Sequence, residues 1–139
     1  MNDQLSRDIR EFPDVFWLKD PLTESEIFKT RELWHPPEDL ASFWSVFGTG
    51  HMFESEVILR PFAESLSVEF ITSRERNKGL PRHLTAFHYG IFVSGFDLSG
   101  FEVFDPDSYR FLGRFETLDD WYVAMIRDSW SERYGLSKL

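Results

Sequence analysis

The residues most able to do chemistry are the histidines and the carboxylates that lie close to them. His51 follows a glycine-containing turn and lies near Glu54 and Glu56. An imidazole and two carboxylates so close together could ligate a metal ion or act in general acid–base catalysis. A small metal-dependent hydrolase that uses these three side chains is therefore one hypothesis for the function.

A simpler explanation is a loop histidine beside solvated acids. The spacing does not match the zinc-binding pattern His-Glu-x-x-His, and a strand that begins at Glu56 would leave His51 in the preceding turn. We favour this explanation and predict no catalytic residues, no metal site and no cofactor. His88 lies within a hydrophobic stretch, where we expect a neutral imidazole that is hydrogen-bonded to the backbone.

Other catalytic signatures are missing from the sequence. It has no Gly-x-Ser-x-Gly, no phosphate-binding Gly-x-x-x-x-Gly-Lys and no dinucleotide fingerprint after a predicted strand. The chain contains no cysteine, which excludes disulfides, thiolate zinc sites and cysteine nucleophiles. These observations favour a binding protein over an enzyme.

Carboxylates recur around a predicted hairpin and at the start of the last predicted helix. The formal net charge is -9, which disfavours nucleic acid as a ligand and would speed encounter with a basic protein. Turn formation and helix capping also explain several of these acids individually, so an acidic binding surface stays a hypothesis. The predicted partner-binding residues are Glu54, Glu56, Asp97, Glu102, Asp105, Asp107, Asp119 and Asp120.

Hydrophobic periodicity and turn signals predict the elements that position these residues. Thr23 and Glu26 form a capping-box pattern that predicts a short helix, and residues 36–47 predict a second helix that stops at Gly48. Strands are predicted over 56–60, within 84–98, and over 101–105 and 109–115, with a final helix from Leu118 to about Tyr134. The polar segment 72–82, which holds the only basic cluster, is predicted to be an exposed loop.

Length and composition predict one domain. A chain of 139 residues with 42% hydrophobic side chains can bury a single core. We expect an α+β fold with a central, mostly antiparallel sheet, a core over about 23–134, and residues 1–22 packing on it. The polar N-terminus and the lack of a long apolar run predict a cytoplasmic protein with no membrane partner. We expect either a monomer or a weak homodimer.

The order of these elements resembles the SUKH superfamily, which includes yeast cell-wall regulators of the Smi/Knr type and many bacterial immunity proteins. The resemblance spans Leu33 to Ile126. The family's helix opening Leu-Pro and its helix end Asn-Gly are replaced here by Pro36-Pro37 and by Gly48-Thr49-Gly50. The better-matching positions are Glu56, Gly90, Phe96, Asp97, Leu98, the returning strand from Glu102 to Asp105, Leu118 and Trp121.

The resemblance implies an α+β fold and a non-enzymatic role. Bacterial members of this family bind and neutralise a cognate toxin, frequently a nuclease, that a contact-dependent or polymorphic system carries. The resemblance therefore predicts a toxin domain, such as a basic nuclease, as the partner, with the hairpin acids and residues 72–82 at the interface. A regulatory or scaffolding module of the same fold is the alternative that the resemblance leaves open.

Overall fold

The computed structural model describes residues 3–137. Within this range seven strands form one antiparallel sheet, in which each strand pairs with the next strand along the chain. This confirms the predicted class, a single α+β domain built on an antiparallel sheet. The strands are β1 (Phe16–Lys19), β2 (Thr49–Met52), β3 (Glu56–Ile58), β4 (Thr85–Tyr89), β5 (Val93–Asp97), β6 (Gly100–Phe104) and β7 (Phe111–Phe115).

Helices precede, interrupt and follow the strands. Among the described residues, no helix is both long enough and apolar enough to cross a membrane. A 3-10 turn (Pro13–Val15) leads into β1, and a π-helical turn (Tyr122–Arg127) lies within the last helical segment. The α-helices are α1 (Gln4–Glu11), α2 (Glu24–Trp34), α3 (Glu38–Val46), α4 (Val68–Arg76), α5 (Leu118–Trp121) and α6 (Asp128–Tyr134).

Local capping signals fix the ends of several helices. At the start of α2 the Thr23 hydroxyl accepts a hydrogen bond from the Glu26 amide, and the Glu26 carboxylate accepts one from the Thr23 amide. Gly48 follows α3 with φ of +81°, and a side chain there would collide with the Lys19 carbonyl. Gly135 ends α6 in the left-handed conformation. The predicted helices at 23–34, 36–47 and 118–134 are confirmed.

The prediction of an exposed loop over 72–82 is wrong for its first half, because α4 continues through residue 76. Ser67 caps this helix by accepting a hydrogen bond from the Phe70 amide. The buried positions follow helical spacing, but two of them are polar, so the sequence shows no hydrophobic periodicity of a helix there. These four buried residues are Val68, Ile71, Thr72 and Glu75.

Two strand boundaries differ from expectation. β3 ends at Ile58 rather than at residue 60, and β7 begins at Phe111 rather than at residue 109. In the predicted N-terminal extension 1–22, residues 1 and 2 lie outside the described range, and the rest adds an edge strand to the sheet, since β1 pairs with β2.

A buried ion pair holds α1 against the C-terminal helical segment. The Asp8 carboxylate accepts hydrogen bonds from the Tyr122 hydroxyl at 2.6 Å and from Arg127 Nε at 2.7 Å. An α-helix would place residues 122 and 127 about 140° apart around its axis. The π-helical turn, with its i→i+5 bonds, brings both side chains to the same face. Burial and the bond to Asp8 raise the pKa of the Tyr122 hydroxyl, which therefore remains the donor.

The sheet has two faces with different coverings. The core face packs against α3 and the C-terminal helices, with ring centroids 6.2 Å apart for Trp44 and Phe96 and 4.9 Å apart for Phe87 and Trp121. The opposite side, here called the outer face, is partly covered by α4, where the Arg74 guanidinium lies 5.4 Å from the ring centre of Tyr89. The rest of the outer face carries the predicted hairpin acids.

Candidate functional site

The structure divides the eight predicted carboxylates among five places. Asp97 and Glu102 lie close together on the outer face, at the hairpin that joins β5 to β6. Asp105 and Asp107 follow the far end of β6, one strand length away at about 3.3 Å per residue. The remaining residues are Asp119 and Asp120 at the start of α5, Glu54 between β2 and β3, and Glu56, which is wholly buried.

Asp97 and Glu102 belong to a polar network that we call the hairpin cluster, formed by His83, Asp97, Ser99, Glu102 and Arg114. Arg114 donates to Glu102 Oε2 at 2.7 Å, to Asp97 Oδ1 at 3.0 Å and Oδ2 at 3.2 Å, and to Ser99 Oγ at 2.7 Å. His83 Nε2 lies 3.3 Å from Glu102 Oε2. Strand register explains the contact, because Glu102 and Arg114 are directly opposite each other on β6 and β7.

The hairpin cluster also contains donor atoms of the kind that hold metal ions. One ligand atom each from His83, Asp97 and Glu102 lie within 4.8 Å of one another. Nitrogen and oxygen donors of this type suit zinc and similar first-row ions.

The electrostatics of the hairpin cluster favour an ionised Asp97. Burial alone would raise the pKa of Asp97, but hydrogen bonds from Arg114 and Ser99 outweigh it and lower the pKa to about 2, from an ordinary value of 3.8. Because the folded-state pKa is the lower one, this carboxylate stabilises the fold above about pH 4. The contribution is lost as the pH falls from about 4 to 2.

Asp97→Asn should therefore remove part of the acid sensitivity of the fold. At pH 6 we expect the variant to be less stable by about 1–2 kcal/mol, a value discounted for the partial exposure of Arg114. At pH 2 the two proteins should have nearly equal free energies of unfolding. Urea unfolding across this pH range measures both, and a constant difference at all pH values would contradict the assignment.

Most of the other predicted acids have local structural partners. The Asp105 carboxylate accepts hydrogen bonds from the backbone amides of Asp107 and Ser108, both at 2.9 Å, and these bonds lower its pKa. Asp119 Oδ1 accepts from the Leu5 amide at 2.9 Å, which ties α1 to α5. Glu54 lies 3.5 Å from Arg133. Turn formation and helix docking therefore account for these residues without a partner.

Leu98 is the most exposed of the large hydrophobic side chains among the described residues, at 73%. It occupies the two-residue turn between β5 and β6, directly beside Asp97 and Ser99. The Ser99 amide and hydroxyl both donate to Asp97 Oδ1, at 2.9 and 3.0 Å, which fixes the turn. We call Leu98 and the hairpin cluster together the hairpin surface.

Glu56 differs from the prediction, because it points into the core face opposite Met52 and cannot touch a partner. Its carboxylate accepts hydrogen bonds from His88 Nε2 at 2.8 Å, Trp130 Nε1 at 3.1 Å and the Ile91 amide at 3.3 Å. His88 is buried as expected, but its ring nitrogens bond side chains rather than the backbone. Its Nδ1 lies 2.9 Å from Ser94 Oγ.

These contacts form a buried serine–histidine–glutamate chain. Trp121 Nε1 can only donate, and it lies 2.9 Å from Ser94 Oγ, so the serine accepts that bond. The same hydroxyl contacts His88 Nδ1, and the other ring nitrogen of His88 contacts Glu56. Ser94, His88 and Glu56 are all fully buried, so no substrate reaches the hydroxyl in this conformation.

The His51, Glu54 and Glu56 group proposed for a hydrolase is not brought together. His51 lies exposed on the outer face, directly opposite Trp17 and Val57. Glu56 lies on the core face beneath it, and Glu54 lies in the exposed turn between them. The strand that ends at Met52 places His51 and Glu56 on opposite sides of the sheet.

Sequence reasoning did not predict four residues of these networks as site residues, namely His83, Ser94, Ser99 and Arg114. One signal could have pointed to the buried chain. Gly90 lies two residues after His88, and a side chain at Gly90 would collide with the Glu56 carboxylate. A glycine two residues after a histidine in a hydrophobic stretch is consistent with space for a buried polar side chain next to the backbone.

Comparison with protein-family models, with curated proteins and with solved structures gives no match. The functional argument therefore depends on the residues and contacts of this chain.

Proposed function

We propose that this protein is a non-enzymatic binding domain of the immunity type, which binds and neutralises a toxin domain. Two features of the sequence support the proposal. The element order resembles the SUKH superfamily, and the net charge of -9 complements a basic partner such as a nuclease.

The hairpin surface is the observation that carries the proposal. A few residues usually dominate the binding energy of an interface, and arginine is enriched among them. Leu98 supplies an exposed apolar contact, and Arg114 is fixed beside it by two carboxylates and a hydroxyl. His83 adds the connection between α4 and β4 to the same surface.

The buried chain of Ser94, His88 and Glu56 favours a structural role over catalysis. Hydrogen-bonding contacts within this chain join Glu56 on β3, His88 on β4 and Ser94 on β5. Trp121 and Trp130 connect the chain to the C-terminal helices. A nucleophile would need an open path to its hydroxyl, and Ser94 is fully buried.

Capture from the native organism tests the proposal. The tagged protein should retain one stoichiometric protein that carries a toxin domain, which mass spectrometry identifies. Expression of that domain alone should arrest growth, and co-expression with this protein should restore growth. Retention of a host regulator whose expression is harmless would favour the regulatory alternative and contradict the immunity proposal.

A further inference from the structure

We propose that the hairpin cluster binds a zinc ion through His83, Asp97 and Glu102, with the ion replacing the Arg114 guanidinium between the two carboxylates. The inference concerns metal binding and does not depend on the identity of a protein partner. It rests on three features of the cluster, which are the spacing of its donor atoms, the position of Arg114 and the freedom of the His83 side chain.

The donor atoms are close to the spacing that zinc requires. Tetrahedral zinc with bonds of about 2.0–2.2 Å places its ligand atoms about 3.3–3.5 Å apart. One donor atom from each of His83, Asp97 and Glu102 already lies within 4.8 Å of the other two. Small rotations of these side chains would close the difference. Antiparallel pairing of β5 with β6 already holds the two carboxylates on one face.

Arg114 marks the place where a cation is held. Its Nη1 bridges Asp97 Oδ2 at 3.2 Å and Glu102 Oε2 at 2.7 Å. A zinc ion between the same oxygens requires the whole guanidinium to leave the cluster, because both of its Nη atoms are bonded to one carbon. The Arg114 side chain is 36% exposed, so it can turn toward solvent. At equal distance a divalent ion attracts each carboxylate about twice as strongly as a guanidinium does.

Two side chains are free to complete the site. The His83 side chain is 59% exposed, and among the described residues its imidazole has one hydrogen-bond partner, Glu102 Oε2. Glu102 Oε1 has no hydrogen-bond partner in the same part of the chain, so it can turn to the ion. The mixed nitrogen and oxygen donors favour zinc over magnesium or calcium, which prefer oxygen alone.

Calorimetric titration of the full-length protein with zinc chloride near neutral pH tests the proposal. We expect one ion per chain with a dissociation constant in the micromolar range and no binding of magnesium. His83→Ala should weaken binding by about tenfold or more, whereas His51→Ala, which removes another exposed histidine of the outer face, should leave it unchanged. Arg114→Gln should strengthen binding, because the competing cation is gone.

Histidine side-chain NMR gives a second measurement of binding that does not depend on the heat of binding. Zinc should change the chemical shifts of the His83 ring nitrogens and leave those of the His51 ring nitrogens unchanged. No binding by either the unaltered protein or Arg114→Gln at about 1 mM zinc would overturn the proposal. Equal loss of affinity in His51→Ala and His83→Ala would also overturn it, since the ion would then be held elsewhere.

Discussion

Replacing Glu56 by alanine should lower the free energy of unfolding by about 3–5 kcal/mol, because it breaks a buried polar network from one side. The change leaves His88 Nε2, Trp130 Nε1 and the Ile91 amide without their acceptor in the core. It also removes the link between β3 and the C-terminal helices. Urea unfolding followed by tryptophan fluorescence measures the loss.

The matched control for this prediction is Glu54→Ala. Glu54 is an exposed carboxylate two residues away, and its pairing with Arg133 at 3.5 Å should contribute at most about 1 kcal/mol. A second change, Trp121→Phe, removes the donor to Ser94 and leaves a smaller ring at a fully buried position. The lost hydrogen bond alone should cost about 1–3 kcal/mol, and the space left in the core adds to it. Equal stabilities for Glu54→Ala and Glu56→Ala would show that the buried network is not formed.

Replacing Asp8 by alanine should cost about 3–5 kcal/mol by a different route, since it leaves the buried Arg127 charge unpaired. The Tyr122 hydroxyl loses its acceptor as well. We expect α1 to detach first, so backbone amides of residues 4–11 should exchange hydrogen much faster than those of β4 and β5. Hydrogen exchange with mass spectrometry resolves this difference.

Two further variants separate the charge effect from general damage to α1. Glu11→Ala changes an exposed carboxylate of the same helix and should alter stability by less than about 0.5 kcal/mol. The double variant Asp8→Ala with Arg127→Met should recover part of the loss, because no buried charge is then left unpaired. If the double variant is less stable than Asp8→Ala alone, the ion pair is not the source of the effect.

Local signals in the sequence predicted the elements that local interactions fix. The capping box at Thr23 and Glu26 and the turn glycine at Gly48 each act within a few residues, so the helices they bound could be located. The hairpin between β5 and β6 was also predicted, because Ser99-Gly100 is a turn signal between two apolar segments, although the turn lies one residue earlier, at Leu98 and Ser99. The fold class follows from these pieces.

The predictions that were wrong concern residues whose hydrogen-bond partners are distant in sequence. Thr72 and Glu75 look like solvent-exposed residues of a loop, yet the Ala86 amide donates to Thr72 and the Tyr109 hydroxyl donates to Glu75. Similarly, the sequence around Glu56 is typical of a surface acid, but the carboxylate is bonded to His88, which is 32 positions away. No local periodicity encodes such pairings.

The candidate site was predicted only in part, because some of its contacts are local in sequence and others are not. Asp97 and Glu102 flank a short turn, so their proximity was expected from the hairpin alone. Arg114 and His83 reach the cluster through strand register and through the connection that follows α4, and neither follows from spacing. The expected acidic surface is therefore smaller than the sequence suggested, and an arginine lies between its two closest acids.

The affinity of the captured toxin domain for hairpin variants is the most direct test of the proposed binding role. We expect Leu98→Asp to weaken binding by about tenfold or more, because it places a charge in an apolar contact. Arg114→Glu should weaken binding similarly, because arginine is enriched among the residues that dominate interfaces. His51→Ala, at the exposed far side of the outer face, should bind as the unaltered protein does. Unchanged affinity in Leu98→Asp and Arg114→Glu, with both variants folded, would contradict the hairpin surface as the binding site.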